Sequence, residues 1–315
     1  MLKLTYLNEN FDLARLALTH WAHDEETLPE RLKWFRISSN AVYPFDREGK
    51  TCFLRLTPAE EKSAVHIQAE IDFLTHLQRA DYPAMRPIPT LDGQLLLSLS
   101  TPWGAWHACA FTGVPGRQIE DLPMTEEVLA RYGAALGRLH CISMALDVPP
   151  ARPAWEDALH WAWTYLQQGP EHMQAEYLAV REALSGMPKE KHTFGLVHYD
   201  FEPDNVFFDG EICHAIDFDD SMYHFYAIDL VQAIDELPGE AHAAFLEGYY
   251  AACPQSGAKT EDFPLMQRFR DLYSWARLKN ALSDIPSPQP EWMPHLIEKL
   301  QSRIREIERL VRSRQ

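Results

Sequence analysis

The chain has 315 residues, long enough for two lobes or one large domain, and its 46% hydrophobic and 24% charged residues are ordinary for a soluble globular protein. With 29 Lys and Arg against 46 Asp and Glu, the formal net charge of −17 argues against nucleic acid or an anionic membrane surface as main partner, and is compatible with a cationic one. Five scattered cysteines without a CxxC pair, no basic-then-apolar leader and no apolar run of about 18 residues point to a cytoplasmic, reduced protein.

Residues 1–30 read as a leading helix on the stripe Phe11, Leu13, Leu16, Ala17 and His20. A strand over 32–37, a Ser38-Ser39-Asn40 turn and a return at Ala41-Val42-Tyr43 follow, with no glycine in the hairpin. The next strand, 51–56, puts Phe53 and Arg55 on one face and Cys52, Leu54 and Leu56 on the other; a cation on an apolar strand needs an anion. A helix from Pro58 to about Leu77 carries Glu70, and its bland reading is a solvated face.

A proline-broken connection (Pro83, Pro87, Pro89) leads to strands over 94–99 and 106–111, around a Pro102-Trp103-Gly104 turn. Thr112-Gly113-Val114-Pro115-Gly116 then ends the strand-rich part. Thr125 caps a helix to about His140, whose histidine reads as structural. Helices over 155–168 and 171–184 follow; Trp155, Trp161 and Trp163 on the first read mainly as core. After Asp229 the pattern is helical at 241–252, 264–284 and 292–312, the last with a stripe of Leu296, Leu300, Ile304, Ile307 and Val311 that packs on the same chain or forms a dimer face. A monomer and a homodimer both stay open.

The most informative stretch is GLVHYDFEPDNVFFDGEICHAIDFDD, residues 195–220. Two apolar runs, 206–208 and 212–216, joined by the two-residue turn signal Asp209-Gly210, form a hairpin that carries Asn205 and Asp217 to one open end beside Asp200. Between Asp200 and Asp220 stand eight carboxylates and no Lys or Arg, a cluster that raises its own pKa values unless a cation neutralises it. One amide oxygen and two carboxylates suit Mg²⁺, a hard cation often shared with phosphates. Turn chemistry explains Asp209-Gly210 but not Asp200, Asn205 and Asp217 together.

The order H-x-D-x-x-x-x-N, then D-F-D-D and a later Asp229-Leu230, resembles the aminoglycoside phosphotransferase, choline kinase and homoserine kinase family, of protein-kinase-like fold. The resemblance implies a two-lobed α+β protein, with a sheet-rich nucleotide-binding lobe at 1–114 and a helical catalytic lobe at 115–315. It implies ATP and Mg²⁺ as cofactors and transfer of the γ-phosphate to a small-molecule hydroxyl, leaning to an amino sugar or amino alcohol. Asp200 would orient the acceptor, Asn205 and Asp217 would hold the metal, and His198 and Asp229 would support the loop. Arg55, standing where kinases more often have Lys, would pair with Glu70 and hold the α and β phosphates. Ser38 and Ser39 would reach a phosphate, Phe111 would back the adenine, and the Thr112 carbonyl and Val114 N–H would bond its edge. Asp219 and Asp220 are extra: outer metal contacts, or attraction for an amine. A protein Ser/Thr kinase of the same fold is the alternative, although only eleven residues separate Asp217 from Asp229 and no activation segment is evident. A metal-dependent hydrolase on His198, Asp200 and Asp217 is the reading outside the family.

Overall fold

Period-two alternation at Tyr43, Phe45, Cys52, Leu54 and Leu56 builds one buried face of a six-stranded antiparallel sheet in the first part of the chain. The computed structural model describes residues 2–7, 10–33, 36–37, 40–146 and 150–314. The leading helix is shorter than the sequence suggests: a 3-10 turn at Leu4–Tyr6 precedes α1 (Phe11–Leu18) and a single turn, α2 (Leu28–Arg31). Asn10 starts α1 by accepting the Leu13 N–H, and the chain then leaves the helix to bury Trp21, whose indole donates to the Ile88 carbonyl at 2.9 Å.

The sheet comprises β1 (Arg36–Ile37), β2 (Ala41–Arg47), β3 (Lys50–Pro58), β4 (Pro87–Ile88), β5 (Leu97–Thr101) and β6 (Gly104–Thr112), in the order β1-β2-β3-β6-β4 with β5 on β6. The strand expected over 32–37 is only β1 among the described residues, because Leu32 closes α2. Cys52, Leu54 and Leu56 pack with α1, and Arg55 points to the other side. There α3 (Ala64–Arg79) lies, capped by Ser63; it starts later than expected because the chain stays extended through Pro58 and then turns.

After the sheet, β7 (Arg117–Gln118) pairs with the later hairpin, and α4 (Glu126–Met144), α5 (Trp155–Leu166) and α6 (Glu171–Gly186) follow. The hairpin is β9 (Val206–Phe208) and β10 (Cys213–Ala215); β8 (Phe194–Val197) pairs with β11 (Met222–Phe225), a strand that the sequence reading left out. Helices α7 (Ala227–Asp235), α8 (His242–Ala252), α9 (Phe263–Ala281) and α10 (Met293–Ser313) complete the helical part. Helices α4 and α8 meet backbone to backbone: a Cβ on Gly133 would stand 1.9 Å from the Phe245 carbonyl oxygen, and one on Gly248 would stand 2.1 Å from that of Ala130. The apolar stripe of α10 is used within the chain, with Leu300, Ile304, Ile307 and Val311 buried.

Candidate active site

Strand β8 delivers His198, Tyr199 and Asp200 to the front of α7, where Asp229 receives them. Its two carboxylate oxygens accept the His198 and Tyr199 N–H groups, both at 2.8 Å. His140 of α4 fixes that carboxylate from behind, with Nε2 at 3.0 Å from Oδ2 and Nδ1 at 2.8 Å from the Tyr249 hydroxyl. Tyr199 has φ 65°, a left-handed conformation costing a non-glycine residue about 1–2 kcal/mol, and the Asp229 bonds hold it there. His198 is fully buried: Nδ1 accepts the Asp200 N–H at 3.2 Å, so Nε2 donates to the Ile216 carbonyl at 2.9 Å. Burial lowers its pKa to about 4, so the ring is a neutral brace.

Asn205 turns its amide nitrogen to Asp200, donating to the main-chain oxygen at 3.0 Å and to Oδ2 at 2.9 Å, and keeps Oδ1 as its acceptor. The Ile216 N–H donates to the Asn205 carbonyl at 3.0 Å, so the loop at 198–205 and the start of Asp217 are laced together. Asp217 itself is left-handed, at φ 59°. The turn differs from the two-residue form expected: Phe208 pairs with Cys213, leaving four residues between, and Asp209 Oδ1 accepts both the Glu211 and Ile212 N–H groups.

Charge is uneven here. Burial, then Asp220 and Asp217, push the Asp200 carboxyl well above the usual range; burial and Asp219 raise Asp217 to about 6. Asp219 behaves in the opposite way. Burial opposes its ionisation, yet Lys62 Nζ at 2.5 Å, the Asn40 amide at 2.9 Å and Arg55 at 3.7 Å hold its pKa far below the usual range. Asp220 is held low against burial by Arg277, 2.7 Å away. Asp219 and Asp220 are therefore already engaged by the chain's own cations.

On the sheet side the Arg55 fork meets Glu70 at 2.9 and 2.5 Å, both side chains buried. Its guanidinium lies 4.9 Å from the Phe111 ring centroid. Burial opposes the Arg55 charge, while Cys109, Glu70 and Asp219 favour it; Cys109, pushed up to about 11 by burial, is a neutral thiol at pH 7, so the two carboxylates are the anions that matter. Thr112 closes β6 by donating its N–H to the Arg86 carbonyl, and Val114 stands half-buried just beyond. Gly116, at φ 99°, lets this segment approach β9: a Cβ would stand 2.4 Å from the Phe208 carbonyl oxygen. Ser38 and Ser39 lie outside the described residues.

Residues 36–259 match the phosphotransferase enzyme family. The chain belongs to that family. It is 21% identical to the amicoumacin kinase of Bacillus subtilis (strain 168) over 72% of this chain and 74% of that protein, and 24% identical to the homoserine kinase of Methylobacillus glycogenes over 76% of each. Two solved structures share the fold. An amicoumacin kinase in complex with AMP-PNP, Ca²⁺ and Ami has a TM-score of 0.74 at 18% identity over 95% of this chain and 94% of that one; a microcompartment-associated aminopropanol kinase has 0.73 at 20% over 96% and 98%. The curated relatives are small-molecule kinases, and this phosphotransferase is an O-phosphotransferase of the same kind.

In this family member a cleft of about 800 Å³ opens beside the loop, between Lys62, Asp219, Asp220, Tyr273 and Arg277. Trp161 lines it too, in edge contact with Tyr273 at 5.6 Å, whereas Trp155 is core and Trp163 stacks on Tyr177. The sequence reading missed Asn40, Lys62, Arg152 and Arg277. Arg152 donates to the carbonyls of Asp219, Ser221 and His66, tying α3 to the loop after Asp217. The only available signal was arithmetic: carboxylates at 219 and 220 without local cations had to find distant ones.

Proposed function

We propose that Asp200 orients the hydroxyl of a small-molecule acceptor and takes its proton while the γ-phosphate of ATP is transferred to it. The observation that carries this reading is the lacing of Asp200, Asn205, Ile216 and Asp217 at one end of the β9–β10 hairpin. Asp217 and the free Oδ1 of Asn205 would hold Mg²⁺. Both are hard oxygen donors, and a buried carboxylate raised by its neighbours is one that a cation relieves. The ion would supply charge neutralisation on the phosphates. His198 and Asp229 brace the loop, and Arg55, held by Glu70, faces the α and β phosphates. Phe111, the Thr112 carbonyl and the Val114 N–H form the adenine site, at the junction of a sheet-rich lobe ending at 114 and a helical lobe beginning at 115. Ser38 and Ser39 are assigned to the phosphates on the sequence alone. Five free cysteines are in keeping with a reducing cytoplasm.

The acceptor carries an amine as well as the hydroxyl. Asp219, Asp220 and Glu61 are engaged by Lys62, Arg277 and Lys3, so the amine is assigned to Glu60 and Asp157 along the same cleft, carboxylates that accept hydrogen bonds from neutral donors, with Trp161 and Tyr273 as aromatic faces. His198 has both ring nitrogens committed inward, which disfavours a metal-dependent hydrolase built on it. A coupled ADP-release screen with Mg·ATP against 1-amino-2-propanol, homoserine and amino sugars tests the assignment. Amine-bearing acceptors should turn over faster than their N-acetyl forms; equal rates would sink the amine assignment, and preference for a Ser/Thr peptide would restore the protein-kinase alternative.

A further inference from the structure

Residues 2–7 belong by sequence to the sheet-rich part, yet Leu2, Leu4 and Leu7 bury themselves with Ala281, Met293 and Leu300 of α9 and α10, in a cluster separate from the two main cores. The Thr5 N–H donates to the Asp284 carbonyl at 3.1 Å, fastening the segment to the end of α9. Its other side faces the sheet. The Tyr6 ring stands edge-on to Trp106 at 6.0 Å, its hydroxyl donates to Glu60 Oε2 at 2.9 Å, and Lys3 Nζ lies 3.4 Å from Glu61 Oε1. Glu60 and Glu61 sit in the turn between β3 and α3, immediately before Lys62, which grips Asp219. Leu2 and Lys3 line the 800 Å³ cleft together with Asp219, Asp220 and Arg277.

We propose that residues 2–7 are a clasp between the sheet and the C-terminal helices, forming a wall of the acceptor cleft, with Lys3 and Tyr6 as its positioning residues. The inference rests on the phosphotransferase reading only for the cleft's purpose. The clasp shares no residue with the nucleotide side, where Arg55, Glu70, Phe111, Thr112 and Val114 stand. It therefore acts on acceptor entry and on the turn at 59–63, and leaves ATP affinity alone. A wall fastened by apolar anchors on one part and, on the other, by two polar contacts and one edge-on ring contact can open at the sheet side without unfolding the rest.

Hydrogen exchange on the Mg·AMP-PNP-loaded chain tests this, comparing wild type with the double variant Lys3→Ala, Tyr6→Phe and using the melting temperature as a check on the fold. Amides at 59–66 should exchange about fivefold faster in the variant, the yield of one lost net hydrogen bond, with those at 113–118 unchanged. Acceleration confined to residues 2–7 would overturn the clasp. A second arm measures ADP release from Mg·ATP with water as the only acceptor. A rise of roughly fivefold at unchanged KM for ATP supports a wall on the acceptor side; a changed KM for ATP with unchanged release overturns it. Should neither protein transfer phosphate to water or to any amino alcohol, the phosphotransferase assignment of Asp200 fails, and the exchange arm still decides the clasp by itself.

Discussion

On the sheet side of the cleft the cations are matched within the chain, Arg55 by Glu70 and Lys62 by Asp219, and on the helical side Arg277 of α9 is matched by Asp220. On the loop side, burial raises Asp200 and Asp217 above the usual carboxylate range, with Asp220 and Asp217 adding to it for Asp200 and Asp219 for Asp217. The first arrangement is balanced in charge without a ligand and fixes the scaffold. The second stores repulsion that an added cation would relieve near neutral pH, so it marks where metal and phosphates would be drawn. Sites built from one chain thus divide the work: neutral networks set geometry, unbalanced ones set affinity.

The largest expected effect tests the loop side. Asp200→Ala should reduce turnover by about 10²–10⁴-fold while calorimetry shows ATP binding near wild type, since the side chain positions the acceptor and not the nucleotide. Retained turnover would remove Asp200 from the chemistry. Next comes the sheet side. Arg55→Ala leaves the buried Glu70 carboxylate without its cation and Glu70→Ala leaves Arg55 with only Asp219 at 3.7 Å, so each should cost about 3–5 kcal/mol in urea unfolding, and the double variant should lose less than the sum. Strict additivity would mean that the two side chains do not act as a pair.

Much of this site was readable from the chain because its parts are local. Asp200 to Asp217 is one loop and one hairpin, and alternation along β3 puts Arg55 on the face toward α3. Asn40 and Lys62 were not readable: they reach Asp219 across 179 and 157 residues, and no periodicity encodes such a contact. Arg152 sits in a proline-flanked connection and bonds only carbonyls, which leaves no pattern in side-chain types. Strand β11 was missed because Met222-Tyr223-His224-Phe225 lacks a polar alternation, being buried almost throughout between β8 and α9. The leading helix is shorter than its apolar stripe because the stripe continues past Leu18, where burial of Trp21 takes over.

Asp217→Asn sharpens the contrast by removing one repelling charge. With a folded pKa of about 6 against 3.8 ordinarily, the folded chain holds more protons than the unfolded one between those values. Stability therefore falls as pH rises from about 4 to about 6 and stays at the lower level above. The amide removes that loss, so the ligand-free variant should gain up to about 3 kcal/mol at pH 7 and little at pH 4. Added Mg·ATP should reverse the ranking, stabilising the wild type more than the variant. Urea unfolding at both pH values, with and without Mg·ATP, reads both effects; a variant less stable at pH 7 without ligand would mean that the loop is balanced after all.

The smallest effect comes from Arg55→Lys, which keeps the charge and discards the fork. A lysine ammonium can meet one Glu70 oxygen while remaining near Asp219, so one of the two parallel bonds is lost and the pair survives. The expected cost is about 1 kcal/mol in stability, with a KM for ATP raised about fivefold and kcat only partly reduced. The comparison with Arg55→Ala decides what the sheet side uses. If Lys restores most of what Ala loses, charge neutrality is the property that matters there and the planar fork refines it. If Lys is as damaging as Ala, the fork itself sets the spacing between β3 and α3, and the sheet side works by shape more than by balance.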